Sequence, residues 1–472
     1  MNYKYFINND LYSDLNEEKA FLDLSEIIKC KTISNPNQEL MDFNEFNKLH
    51  MILKNNFPLV VKNAEIEIIN KGSILFHLKG ENEKLPELLL MAHIDVVPVV
   101  EATVNEWDYP AFSGQITDEF IYGRGTEDIK SLVICYLTAL EYLLSHDKKL
   151  TRGVYLAFGH DEETLGGKGQ LQIKNLLQER GVKLEAVLDE GGGIEKGDKY
   201  KVDSLLATIN VMEKGYLDLQ ISATSKGGHS SKPGFHTSLG RVAAAITALE
   251  NNQFKPMLNQ VVKCTFEILA PYIKDEKLKK YATNIDEYEN ELIAYCYNDP
   301  DLSPLVYTTT AATMLDGGSN GANVLPGPVN AVVNFRLLDS VEDCMKHFKN
   351  VITDPEVTIK NLNSIDASKI SNINSFAYNI LEETINEFYK DIVVVPGLIC
   401  GGTDCRFYND ICDNCYRFDP IFNDFDKCHN CHTVNERCQK KAFIHGIKFT
   451  IKFVSLVFKR TFCKYRHHKS IS

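Results

Sequence analysis

Three short apolar runs, at residues 87–92, 153–158 and 184–188, each lead into side chains that bind metals or protons. The first ends in His93, the second in Asp161-Glu162-Glu163, the third in Asp189-Glu190. Between the first two, residues 128–145 carry Ile129, Leu132, Val133, Tyr136, Leu137 and Leu140 at helical spacing, and 168–178 predicts another helix after the second. Strand, helix, strand is the order of βαβ units, which implies an α/β fold with a mostly parallel, helix-covered sheet. Ligand sites in such sheets gather at the carboxyl ends of the strands. The recurrence therefore says more than any one of its members.

The pattern changes near Glu213. Leu217, Leu219, Ile221 and Ala223 alternate with Asp218, Gln220, Ser222 and Thr224, which describes a half-exposed strand. A helix at 238–250, an irregular acidic stretch at 274–301 and a second alternating strand at 331–338 follow. After about residue 370 the first pattern resumes, with a strand at 392–395. These shifts predict an α/β domain from 1–211 and 363–472, interrupted by an inserted α+β domain at 212–362.

Composition narrows the setting. Of 472 residues, 44% are hydrophobic and 24% charged, as in a water-soluble globular protein. The net charge of −13 argues against a nucleic-acid partner, since phosphate binding needs a cationic face. A basic tail at 459–469 reads as a solvated terminus. No stretch reaches the ~20 apolar residues of a membrane span, and the first 30 residues carry no signal-like apolar run, so no membrane partner and a cytoplasmic location are expected. Thirteen cysteines fit that compartment if they stay reduced or bind metal; the odd number leaves one over in any set of internal disulfides.

Each chemical motif has a plainer explanation beside it. In His93-x-Asp95 the carboxylate can fix the tautomer of a metal-bound imidazole, or the two can form a buried structural pair. Asp128 stands where a helix begins, as an N-cap would, yet its two oxygens could bridge two cations. Asp161-Glu162-Glu163 crowds three negative charges after an apolar strand, an arrangement that calls for nearby cations. One of the adjacent glutamates could hold a metal while the other serves as a base.

These motifs stand in order with Gly123-Arg124-Gly125, Gly227-Gly228-His229-Ser230-Ser231, Gly401-Gly402-Thr403-Asp404 and His432-x-x-Asn435-Glu436. The set resembles the di-zinc exopeptidase family of aminoacylase, carboxypeptidase S and succinyl-diaminopimelate desuccinylase. The branch of carboxypeptidase S and N-fatty-acyl-amino-acid hydrolases is nearest, and the likeness runs from about residue 15 to 455. It implies hydrolysis of an amide or peptide bond next to a free carboxylate, on a small peptide or N-acyl amino acid. It implies two Zn2+ per chain, for which Co2+ or Mn2+ can substitute: His93, Asp128 and Asp189 hold one, and Asp128, Glu163 and His432 the other. Asp95 orients His93, and Glu162 is the general base and acid. His229 stabilises the tetrahedral oxyanion, reaching a partner subunit's site in a homodimer. Asn323, Arg336, Gly402 and Thr403 fall at substrate-binding positions, with Arg336 the carboxylate clamp. Two positions depart from the pattern: Thr433 stands where glycine usually follows the metal histidine, and Cys405 where serine is usual. His429 competes with His432 as ligand, but Asn435-Glu436 favours His432.

A reading from another class rests on Cys412-x-x-Cys415 and Cys428-x-x-Cys431, the spacing of a zinc ribbon. It describes a non-catalytic, zinc-stabilised binding protein, or an extra structural zinc within an enzyme. Cys431 precedes His432, so in an extended segment their side chains point to opposite sides. The expectation here is two zinc ions and four reduced thiols.

Overall fold

A computed structural model describes residues 6–8, 10–424, 427, 428 and 430–460. His429, Cys463 and most of the basic tail lie outside the described residues. The fold is α/β, built on a nine-stranded sheet. Eight strands run in the order Ala64–Ile69, Ser73–Leu78, Val154–Gly159, Glu87–His93, Leu184–Asp189, Cys415–Arg417, Leu205–Glu213 and Ile392–Ile399, with Gly193–Lys196 paired beside Leu205–Glu213. The four strands from Val154–Gly159 to Cys415–Arg417 are mutually parallel. Their carboxyl ends therefore share one edge, and the register sets His93 level with Gly159.

The central strands are apolar on both faces because both are covered. On one face the helices Glu17–Ile28, Lys130–Ser145, Phe376–Phe388 and Lys440–Lys459 pack into the main core. On the other, Leu89, Met91, Ala157 and Val187 meet Ile173 and Leu177 of the helix Gln170–Glu179, together with Cys405, Tyr408 and Cys415. The Lys130–Ser145 helix buries Leu132, Val133, Tyr136, Leu137 and Leu140, the stripe its sequence predicts. It starts two residues later than predicted. Ile129 is non-helical, and Asp128 makes no capping bond, because its carboxylate faces two histidines instead.

The strand Leu205–Glu213 passes through Lys214 into Gly215–Ala223, the first strand of a separate antiparallel sheet. Its order is Thr309–Gly317, Val329–Leu337, Gly215–Ala223, Val357–Ile365. Leu217, Leu219, Ile221 and Ala223 are buried and the residues between them half-buried, the period of two read from the sequence. The helices Ser238–Asn251 and Val341–Val351 cover the inner face through Val242, Leu249 and Phe348. The helices Gln260–Leu269, Glu276–Thr283 and Ile285–Tyr297 lie within 212–362 by sequence but pack elsewhere. Their Val261, Phe266, Leu278 and Leu292 belong to the main core. None of the twelve described cysteines forms a disulfide, and among the described residues no helix is long and apolar enough to cross a membrane.

Candidate metal centre

Asp128 is the meeting point of the sheet edge. Its Oδ1 lies 2.8 Å from His93 Nε2, which in turn lies 3.3 Å from Glu190 Oε1. Its Oδ2 lies 2.9 Å from His432 Nε2, which is 3.1 Å from Glu163 Oε1. Two groups of donors, each with one imidazole and one further carboxylate, thus share the two oxygens of a single side chain. The Cys431 thiol also reaches Asp128 Oδ2, at 3.1 Å.

Two buried carboxylates fix this arrangement without joining it. The first, Asp95, accepts the backbone N–H groups of Glu162 and Glu163 at 3.2 Å each, holding the turn that presents them. His93 Nδ1 faces the backbone oxygen of Asp95 at 3.0 Å and its Oδ1 at 3.4 Å, leaving Nε2 for the centre. The second, Glu436, has a fully buried side chain and accepts from the Arg124 guanidinium at 2.5 Å. Its Oε1 also accepts from Gly125 N at 2.8 Å, Glu127 N at 2.9 Å and Asp128 N at 3.2 Å. Asn430 N adds a bond to Glu127 Oε2 at 3.0 Å. The loop carrying His432 is thereby tied to the loop carrying Asp128.

The electrostatics describe a site crowded with carboxylates. Burial raises Glu190 to about 8, with Asp128 adding to it, although His93 opposes the shift. Burial likewise pushes Glu162 well above the ordinary carboxylate range against the pull of His93, and Glu190, Asp404 and Asp128 raise it further. Hydrogen bonds to Asp128, Cys431 and Glu163 raise His432 to about 12. Carboxylates crowded like this repel one another unless cations sit among them. Mixed nitrogen and oxygen donors of this kind fit divalent zinc.

The residues predicted from sequence fall into three sets. The structure brings His93, Asp95, Asp128, Glu162, Glu163 and His432 together. Asp189 does not join them. It shares strand parity with Val187, whose face packs against Cys405, so its Oδ2 accepts Cys405 N at 2.9 Å. Glu190, one residue on, takes the position beside His93. Thr403 is also committed elsewhere: its hydroxyl donates to Glu213 Oε1 at 2.6 Å, beside the buried Glu213–Arg417 ion pair. Gly402 sits against the Arg406 guanidinium, where a Cβ would come within 2.6 Å of it.

His229 and Asn323 are brought together away from the centre. The short strand Gly228–His229 pairs with Val324–Leu325, and Ser230 N donates to Asn323 O at 2.8 Å. Both residues are exposed. Arg336 is half-buried on the second sheet, with its guanidinium 4.9 Å from the Tyr216 ring centroid.

The thiols predicted as a quartet divide. Cys412 and Cys415 lie in the apolar cluster behind Val187, and Cys431 stands at Asp128. Two groups of three among the described residues could hold a metal ion, His93, Asp128 and Glu190, and Asp128, Cys431 and His432; neither contains Cys412, Cys415 or Cys428.

The model of peptidase family M20/M25/M40 matches residues 89–456. The chain belongs to this family. It is 34% identical over 462 residues to the probable carboxypeptidase S-like 2 of Dictyostelium discoideum, covering 94% of this chain and 88% of that protein. It is 34% identical over 465 residues to the N-fatty-acyl-amino acid synthase/hydrolase PM20D1 of Xenopus tropicalis, covering 96% and 89%. The fold superposes on the M20 family metallo-carboxypeptidase Sso-CP2 of Sulfolobus solfataricus with a TM-score of 0.68 and 20% identity, covering 93% and 98%. Like other M20 peptidases, the chain is a metal-dependent enzyme that hydrolyses amide bonds.

The Glu436 tie is open to test. Glu436→Gln removes a buried negative charge facing Arg124 and is expected to cost about 3–5 kcal/mol of stability. Loss of a group that orients a metal-binding loop should weaken zinc binding about 10- to 100-fold. Denaturant unfolding and zinc titration measure both. A variant as stable and as tightly zinc-binding as the parent would show that the tie does not position Asp128.

Proposed function

We propose that the chain hydrolyses the amide bond of small peptides or N-acyl amino acids next to a free carboxylate, using two zinc ions held on either side of Asp128. The observation that carries this reading is the division of Asp128, with Oδ1 toward His93 and Glu190 and Oδ2 toward His432 and Glu163. His93, Asp128 and Glu190 would hold one ion and Asp128, Glu163 and His432 the other. Zinc bound there supplies Lewis-acid polarisation of the scissile carbonyl and acidity to the attacking water.

Glu162 stands beside both groups without belonging to either. It would take the proton of the attacking water and hand it to the leaving nitrogen. His93 is kept in one orientation by Asp95, so the centre does not rearrange as charge develops. A cavity of about 490 Å³ is lined by Glu127, Gly191, Gly192, Leu398, Ile399 and Phe422. Glu127 and Gly191 immediately flank Asp128 and Glu190 in sequence, so this cavity is the natural seat for the substrate's acyl or side chain.

The carboxylate requirement rests on Arg336 and on the relatives' names, since carboxypeptidases and N-acyl-amino-acid hydrolases share that substrate feature. The exposed His229 makes its contacts to Ser231, with Nδ1 2.8 Å from the hydroxyl. We assign it to the oxyanion in the site of a second copy.

Glu162→Gln should lower the rate on the order of 10²–10⁴-fold while leaving bound zinc unchanged. Mixing it with inactive His229→Ala chains should restore part of the activity, because a hybrid dimer then holds one intact site. An active Glu162→Gln enzyme overturns the role of the base; exchanged subunits with no recovery overturn the shared site. For the substrate, converting the free carboxylate of an N-acyl amino acid to its amide should abolish turnover. Equal rates on acid and amide would contradict the carboxylate requirement.

A further inference from the structure

Cys431 is the one exposed cysteine among those described, yet its sulfur is directed at the metal centre. An extended segment would turn Cys431 away from the side that His432 faces. Here His432 has φ 62°, so the backbone bends between the two residues and both side chains converge on Asp128 Oδ2. The sulfur lies 3.1 Å from that oxygen and His432 Nε2 lies 2.9 Å from it, while Glu163 Oε1 is 3.1 Å from the same nitrogen. Donors sharing one tetrahedral zinc, with bonds of about 2.0–2.3 Å, stand roughly 3.3–3.6 Å apart. The sulfur, Asp128 Oδ2 and His432 Nε2 all lie within 4.8 Å of one another, a group that could hold a cation and that does not include Glu163.

We propose that Cys431 adds a thiolate ligand to the site of Asp128, Glu163 and His432, meeting Asp128 and His432 around a thiophilic divalent cation. This rests on the reading of those three residues as a metal site. The thiol gives its proton to water as the sulfur–metal bond forms. A soft sulfur ligand would bias the site toward zinc, cobalt and cadmium over manganese and magnesium. The rival is a simple S–H hydrogen bond to Asp128, which leaves the metal chemistry unchanged.

Cobalt separates the two. The full chain, stripped of metal and loaded with Co2+, should show an intense thiolate-to-cobalt charge-transfer band in the near ultraviolet. Cys428→Ser should keep that band, and Cys431→Ser should lose it while binding the same amount of cobalt. Bound cobalt with no such band, or a band that survives in Cys431→Ser, overturns the proposal. Failure to bind cobalt at all overturns the metal-site reading beneath it. A second measurement needs no variant. Cadmium should slow iodoacetamide modification of Cys431 in the wild-type chain by at least about tenfold, since a coordinated thiolate is a poor nucleophile. An unchanged rate with cadmium bound contradicts coordination.

Discussion

Asp128 Oδ1 faces His93 and Oδ2 faces His432, two imidazoles that approach from opposite ends of the sequence. One side chain can serve both only if the backbone around it is held still. The parallel sheet supplies half of that condition by ending the strands of His93 and Gly159 at one edge. The other half comes from loops, of which those of Asp128 and His432 are brought side by side by the short antiparallel pair Phe120–Tyr122 and Arg437–Gln439. A buried carboxylate pointed at consecutive backbone N–H groups is the device used in both places: Asp95 for the turn at Glu162 and Glu163, Glu436 for the loop of Asp128.

That device also explains the spacing of the final motif. Glu436 lies four residues beyond His432, and its bonds to Arg124, Gly125, Glu127 and Asp128 join the two loops that flank the second group of donors. Arg124 pairs with Glu436, although burial still raises that carboxyl to about 7. The excess of carboxylate at the centre, reflected in the raised Glu162 and Glu190, is the electrostatic complement of the cations such a site would hold.

Much of this was legible in the sequence because the parallel sheet converts linear recurrence into proximity. Apolar runs ending in His93 and in Asp161-Glu162-Glu163 had to meet at one edge once the strands were parallel. The change of period at Glu213 likewise marked the second sheet. What stayed hidden depended on parity and on contacts between distant segments. Asp189 and Glu190 are chemically equivalent in the sequence; only the packing of Cys405 against the Val187 face turns Asp189 aside. The helices between residues 260 and 297 are amphipathic with respect to either domain, and their apolar stripes settle on the larger core. The turn at His432 is a left-handed conformation in a residue that rarely adopts it, so the convergence of Cys431 with its neighbour had no local signature. Spacing alone also could not show that Cys412 and Cys415 face the apolar layer behind the sheet rather than Cys431.

The most direct test of the shared centre is the zinc content of purified chains, measured on the wild type and on single-residue variants at the same free zinc concentration. Asp128 shared between two sites leads to two zinc ions in the wild type and none in Asp128→Ala. Glu190→Gln should lose one, and Asp189→Asn should keep both. An Asp128→Ala chain that retains a zinc at wild-type affinity would contradict the shared centre, as would an Asp189→Asn chain that loses one while Glu190→Gln keeps two.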